Sequence, residues 1–210
     1  MNLPSLEQFF NVVKDYNLAI WPMQVIAYLI GFVALILAIK KTKYSSRIIS
    51  AILAFFWLWV GFIFSPIYFT KVFEMAGVYV VLSIIQGIIF LIFGVFRPNI
   101  SFRFKTNVYS IIGIVFIIYA MLGYPLIEYF FGRGYPQLLS FGLVPCPTTI
   151  FTFGLFLWTD EKLPKYILII PLILAISGSL AVYLGIWEDI GLIIAGILGT
   201  IMIVIRDRRM

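Results

Sequence analysis

The stretch FGLVPCPTTIFTFG, residues 141–154, decides how the rest of the chain is read. Pro145 and Pro147 bracket the only cysteine, Cys146, and Thr148 and Thr149 follow. Proline inside a helix removes a backbone hydrogen bond and clashes with the preceding turn, but it fits the first turn, where its missing N–H has no helical partner. A helix is therefore expected to begin at Pro147, with Cys146 near its cap and both threonines in its first turn, and to run to about Trp158. Such a helix rises only about 18 Å, short of a hydrocarbon core about 30 Å thick. The remaining depth falls to LLSFGLV, residues 138–144, which is apolar but interrupted by Gly142. Irregular backbone at membrane depth persists only when protein buries it or when it lines a wet cavity.

The composition makes lipid the relevant solvent. Of 210 residues, 63% are hydrophobic and 11% charged, and the mean hydropathy is +1.09. Soluble domains are roughly a quarter charged. The formal charge of +6 does not indicate nucleic-acid binding, because the basic residues sit in short clusters between apolar runs. The expected partner is the lipid bilayer, with no nucleic acid. The absence of histidine removes His-based proton relays, HExxH zinc sites and Ser–His membrane proteases. A lone cysteine allows no internal disulfide. No P-loop pattern occurs. The last apolar run, Gly191–Ile205, has no lysine for a retinal Schiff base.

Apolar runs at roughly 18–39, 47–69, 75–96, 107–127, 138–158, 165–185 and 187–205 predict seven crossings, the last two forming a tight hairpin. Charge orients them. Twelve of the 15 basic residues fall in alternate connections and after the last run: Lys40 to Arg47, Arg97 to Lys105, Lys162 with Lys165, and Arg206 to Arg209. Positive loops mark the cytoplasmic side, so the N-terminus is expected outside and the C-terminus inside. If residues 138–158 doubled back, Arg206, Arg208 and Arg209 would land outside, which argues that the segment crosses. The opening residues lack the pattern of a cleavable signal. Leu3, Leu6, Phe9, Phe10 and Val13 share one helical face, and Ser5 with Gln8 has capping-box spacing, which predicts an interfacial amphipathic helix over 5–16. The expectation is an all-α polytopic integral membrane protein, one membrane domain over 1–210, with seven transmembrane helices. Its short loops make a prokaryotic inner (plasma) membrane the default location.

Polar residues gather at the outer ends of the runs. The candidate ligand-binding set is Cys146, Thr148 and Thr149 with Asn17, Trp21, Gln24, Glu128 and Tyr135. Each has a plainer role beside the functional one. Cys146 also suits a small buried hydrophobe, and Trp21 and Tyr135 also suit an interfacial aromatic belt. Gln86 lies mid-helix and reads as a hydrogen bond between helices. Met23, Met75 and Met121 with Cys146 would make a soft site suited to Cu(I), but one thiol is a poor anchor, so no metal or other cofactor is assigned. Ser177, Ala181 and Gly185, like Gly191, Ala195 and Gly199, recur at every fourth residue and read as close packing within the chain.

Two stretches, YNLAIWP at 16–22 and FGLVPCPTTIFTFG, resemble the paired motifs of an uncharacterised family of small prokaryotic multi-spanning membrane proteins, the domain of unknown function 6064. The resemblance covers essentially the whole chain. It lends no reaction, ligand or catalytic residue, and implies only that the outer ends of the first and fifth spans belong together.

The leading functional expectation is a protein that binds, or moves, a small ligand at an outward-facing pocket around residues 142–149. No repeat of related halves and no strongly charged group near the bilayer centre supports an ion transporter. The alternative is a thiol-dependent membrane enzyme or redox sensor using Cys146 with Glu128 or Asp189, for which no base titrating near neutrality is visible. A third reading is a structural membrane subunit.

Overall fold

Ser5 opens the first helix through the capping box its spacing predicts: Gln8 N donates to Ser5 Oγ at 3.2 Å and Ser5 N donates to Gln8 Oε1 at 3.0 Å. The computed structural model describes residues 5–210, so Leu3 lies outside the described residues. Helix α1 spans Leu6–Ala19, three residues beyond the expected end. Its apolar face is not laid on a lipid surface, because Phe9, Phe10, Val13 and Tyr16 are buried against the protein. Helix α2, Met23–Ile39, leaves α1 at a bend of 81°. The corner at Trp21 and Pro22 shortens the first expected crossing to 17 residues.

Helices α3 (Ser45–Lys71), α4 (Ala76–Phe96) and α5 (Val108–Phe130) follow, then α6 (Pro145–Phe156), α7 (Tyr166–Tyr183) and α8 (Asp189–Arg209). Helices α3, α4, α5, α7 and α8 are long and apolar enough to cross a membrane, and the α1–α2 pair raises the count to six at most. Seven apolar runs therefore yield five or six helices of spanning length. The shortfall lies at the α1–α2 corner and in α6, which has 12 residues. The last part of α3, Val60–Tyr68, is wound in wider π turns and holds Pro66, where the usual bond to the fourth preceding residue is already replaced.

Helix α6 begins earlier than the sequence suggests. Pro145, not Pro147, is its first residue, and the cap is Val144 rather than Cys146. Both prolines thus sit in the first turn, where N–H groups have no intrahelical partner. The helix ends at Phe156, with Trp158 already in a turn. Every residue of α6 except the half-buried Cys146 is buried, so the helix runs inside the bundle. Gly154 lets α5 approach, since a Cβ there would lie 2.6 Å from Ile117. Phe151 packs edge-on to Phe56 of α3, and Trp57 Nε1 donates to Thr152 Oγ1 at 3.0 Å.

The small residues of α8 pack within the chain, but against different partners than the α7–α8 hairpin suggests. A Cβ at Gly191 would strike Tyr119 of α5, and one at Gly199 would strike Phe153 of α6. Contact with α7 runs instead through Gly178 on Leu192 and Gly196 on Ala175. Gln86 is buried and donates to Ile167 O at 3.3 Å, joining α4 to α7 as expected.

Helix α8 also holds both ends of α6. Asp189 accepts from Cys146 Sγ at 3.3 Å at the first turn. Seventeen positions on, Arg206 Nη1 donates to Phe156 O at 3.0 Å and Thr159 O at 3.2 Å, serving carbonyls at the other end. A carboxylate at a helix N-terminus and a guanidinium at its C-terminus both match the helix dipole. Arg206 is itself paired with Asp207, whose other oxygen accepts from Leu163 N at 3.0 Å. Replacing Arg206 with methionine is expected to cost about 3 kcal/mol, because it leaves Asp207 Oδ1 and the α6 carbonyls buried without partners, while Asp207 Oδ2 keeps Leu163 N and Lys165. Exposed Arg208→Met should stay within about 0.5 kcal/mol. Thermal unfolding of the two variants in detergent checks the contrast.

Candidate functional site

Between α5 and α6 the chain is irregular and dips among buried side chains: Leu139, Phe141, Leu143 and Val144 are all buried. Its backbone polar groups need partners, because an unserved one in apolar surroundings is costly. Asn17 Nδ2 donates to Pro136 O and Leu138 O, both at 2.7 Å, and its Oδ1 accepts from Ser140 Oγ at 2.7 Å. Gln24 Nε2 braces this clamp by donating to Asn17 O at 2.7 Å. The Glu128 carboxylate accepts from Leu139 N at 3.1 and 3.0 Å. Tyr16 Oη donates to Leu143 O at 2.7 Å and accepts from Trp59 Nε1 at 2.8 Å. Thr148 Oγ1 donates back to Val144 O at 2.6 Å. Gly142 takes φ +74°, and a Cβ there would lie 2.7 Å from the Phe56 ring.

Three of the eight candidate residues, Asn17, Glu128 and Thr148, are therefore committed to this backbone, and a fourth, Gln24, to holding Asn17. Trp21 and Tyr135 lie exposed at the surface, edge to face at 6.4 Å. The remaining two, Cys146 and Thr149, line a cavity of about 70 Å³ that reaches from α1 to α8. That is room for roughly five water-sized volumes. Its walls are mostly apolar, with Phe9 of α1 and Phe64 of α3 on one side and Leu174 of α7 on another.

The polar part of the cavity is a small cluster. Asp189, fully buried, accepts from Cys146 on one oxygen and from Tyr124 Oη at 2.5 Å on the other. Tyr79 Oη donates to Ser177 Oγ at 2.8 Å, and Ser177 donates on to Leu174 O. Thr149 is different: its hydroxyl is buried and has no hydrogen-bond partner. Beside the cavity, Arg133 pairs with Glu188 at 2.5 Å and stacks over the Phe10 ring at 4.5 Å, tying α1 to the start of α8. None of Met23, Met75 and Met121 lines the cavity beside Cys146. Among the described residues no group of three His, Cys, Asp or Glu side chains is placed to hold a metal.

The sequence pattern of a family of unknown function, DUF6064, matches residues 6–210. The chain belongs to DUF6064. No curated protein and no solved structure matches it. The geometry shows why the two motif stretches of this DUF6064 chain go together: Tyr16 and Asn17 from the first serve carbonyls that lead into the second.

The sequence marks Asp189 as a polar residue at an outer helix end and as a partner for a reactive thiol, and gives no sign of Tyr79 or Tyr124. Ser177 read as a packing residue. Only the rotation of α4, α5 and α7 brings these hydroxyls to one place, and no spacing along the chain signals it. Asn17→Ala strands two carbonyls and one hydroxyl and should cost about 2–3 kcal/mol. Thr149→Val removes an unpartnered hydroxyl and should be neutral or stabilising by about 1 kcal/mol. Parallel thermal unfolding of the two variants tests whether structural and cavity-facing polar groups separate in this way.

Proposed function

We propose that this DUF6064 chain is a multi-pass protein of the prokaryotic inner membrane that binds a small molecule, with an apolar body and one polar group, in the cavity beneath α1. Thr149 carries the reading. A buried hydroxyl with no partner, on a residue that lines a cavity with Cys146 and Asp189, has hydrogen-bonding capacity that a ligand hydroxyl, amide or carbonyl would complete. Mostly apolar walls with a few convergent polar groups are the usual make-up of a small-molecule site. In this reading the chain makes seven passages, N-terminus outside, with α6 and the buried residues before it forming the fifth. The alternation of basic clusters supports that orientation. Helix α1, held across the cavity by its aromatic face and by Arg133, is the element whose displacement would open the site outward.

The hydrogen bond from Cys146 to Asp189 favours a second reading, thiol chemistry at Cys146. It ranks second because Asp189 is the thiol's one described partner and is already held by Tyr124.

Cys146 is the only cysteine, so labelling reports on it alone. The rate of reaction with N-ethylmaleimide, measured on purified protein with rising 1-butanol as probe, is expected to fall saturably. Thr149→Val should weaken that protection. A rate indifferent to butanol at every concentration overturns the cavity reading. Orientation is tested separately with Cys146→Ser chains carrying Gly134→Cys or Lys162→Cys. In intact cells a membrane-impermeant maleimide should label the first and spare the second.

A further inference from the structure

A second cavity, about 260 Å³, lies at the opposite end of the bundle, where α5 begins and α8 ends. The segment before α5 builds one wall of it. Residues 100–105 are extended, held by Arg103 N donating to Trp158 O at 2.7 Å and Phe104 N donating to Ala38 O at 2.9 Å. In extended chain, successive side chains point to opposite faces. Ile100 and Phe102 are accordingly buried and Phe104 packs edge-on to Trp158, while Arg103 and Lys105 are exposed and line the cavity. Arg209 joins them from α8, and Arg206 lines the far wall with its guanidinium already committed to α6. Arg103, Lys105 and Arg209 have no hydrogen-bond or ion-pair partner among the described residues. The N-terminal turn of α5, capped by Asn107, faces the same space and adds partial positive charge.

One acid stands among these cations. Asp160 Oδ2 is paired with Lys41 Nζ at 2.8 Å, but its Oδ1 is buried and has no partner. Partial burial works against ionisation there. Lys41, bonded to Oδ2, nevertheless holds the carboxyl below its usual range, so it is an anion at neutral pH. The cavity thus offers unpaired cations and, beside them, one unpaired anionic acceptor. A free phosphate ion, which keeps a P–OH donor at neutral pH, could satisfy both by itself. A phosphodiester has no P–OH and satisfies both only if its head carries an N–H or O–H donor. The source is argued by what surrounds the mouth. Exposed apolar side chains run along the two helices that end there: Val108, Ile111 and Val115 on α5, and Ile205 and Ile201 on α8. In a membrane, acyl chains would lie along them while the head group sits at the helix ends.

We infer that this cavity binds the head group of a donor-bearing phospholipid, its phosphate against Arg103, Lys105 and Arg209 and its ammonium or hydroxyl donor on Asp160 Oδ1. Basic pockets between helices at the membrane face are established places for lipid phosphates.

The test uses the full-length protein in detergent, with lipid retention read by native mass spectrometry. The probes are phosphatidylethanolamine and phosphatidylglycerol, which carry donors, and phosphatidylcholine, which carries the phosphate but no donor. Soluble phosphoethanolamine is the arm that tells a free phosphate ester from a lipid. The two donor-bearing lipids should be retained over phosphatidylcholine. Arg103→Gln with Lys105→Gln should weaken retention of every lipid, by about fivefold for each cation removed. Asp160→Ala should keep phosphate binding and abolish the preference over phosphatidylcholine. Lys43→Gln, an exposed cation at the same end but outside the cavity, should change nothing. Binding of phosphoethanolamine with no retention of its lipid would support the phosphate-ester chemistry and overturn the lipid as its source. Equal retention of all three lipids, or an effect of Lys43→Gln as large as that of the double variant, would overturn the site. Thermal unfolding of each variant, expected to match the parent, separates a lost site from a lost fold.

Discussion

The structure depends on one constraint: the backbone of residues 136–144, half-buried at its start and buried from Phe141 on, must have its polar groups served. Helix and closed barrel are the two ways a chain serves itself in lipid, and this segment is neither. Its partners come from elsewhere. Asn17 and Tyr16 of α1, Glu128 of α5 and Thr148 of α6 reach it, each with a bond of about 3 Å or less. This explains why α1 is folded across the bundle instead of lying on a bilayer. Without Asn17 and Tyr16 in place, three carbonyls of the connection would face oil. The amphipathic face of α1 is thus the inner lining of the protein, and its 81° bend from α2 delivers it there.

A second consequence concerns α6. A helix of 12 residues cannot bring both ends to water across a hydrocarbon core about 30 Å thick. Its unpaired terminal groups must therefore meet protein. Prolines at the first and third positions remove two of the orphan N–H donors outright. Arg206 takes carbonyls at the far end, and Asp189 sits at the near one. Both acceptor and donor come from α8, whose glycines allow it to lie close beside α6. The short helix is held like a rung between the ends of a longer one, and the cavity forms where that longer helix, α7 and the α1 cover fail to meet.

Much of this was legible in the sequence, and the reasons it was legible are physical. Apolar runs of membrane length gave α3, α4, α5, α7 and α8, because lipid imposes a minimum helix length on composition itself. Paired prolines gave the break. The capping spacing of Ser5 and Gln8 gave the start of α1, since that bond pair is local. What was not legible was anything set by helix rotation or by contacts distant in the chain. Asn17 and Gln24 share a helix face by spacing, which suggests a pocket wall, but Asn17 clamps a connection about 120 residues away and Gln24 braces Asn17. Glu128 stands among the candidate ligand-binding residues by its place at an outer helix end, yet its partner is a backbone amide. The corner at Trp21–Pro22 was hidden inside a continuous apolar run, because composition does not register an abrupt change of direction.

Polar groups inside such a protein divide by whether their hydrogen-bonding capacity is used. Thr148 and Thr149 are neighbours on one helix, identical in chemistry, and differ only by the rotation of one residue. The first bonds Val144 and is structure, while the second has no partner and belongs to a residue that lines a cavity. An unpartnered atom alone is not a site, since Ser50, Ser65, Ser83 and Gln86 each bury one and line neither of the two cavities. Unused capacity together with space is the informative combination. Among the buried unpartnered atoms described, only Thr149 Oγ1 and Asp160 Oδ1 belong to residues lining either of the two cavities. One lies in the first half of α6 and the other just beyond its end, so the short helix whose termini the surrounding protein must serve is also flanked by both cavities with unused hydrogen-bonding capacity in their walls.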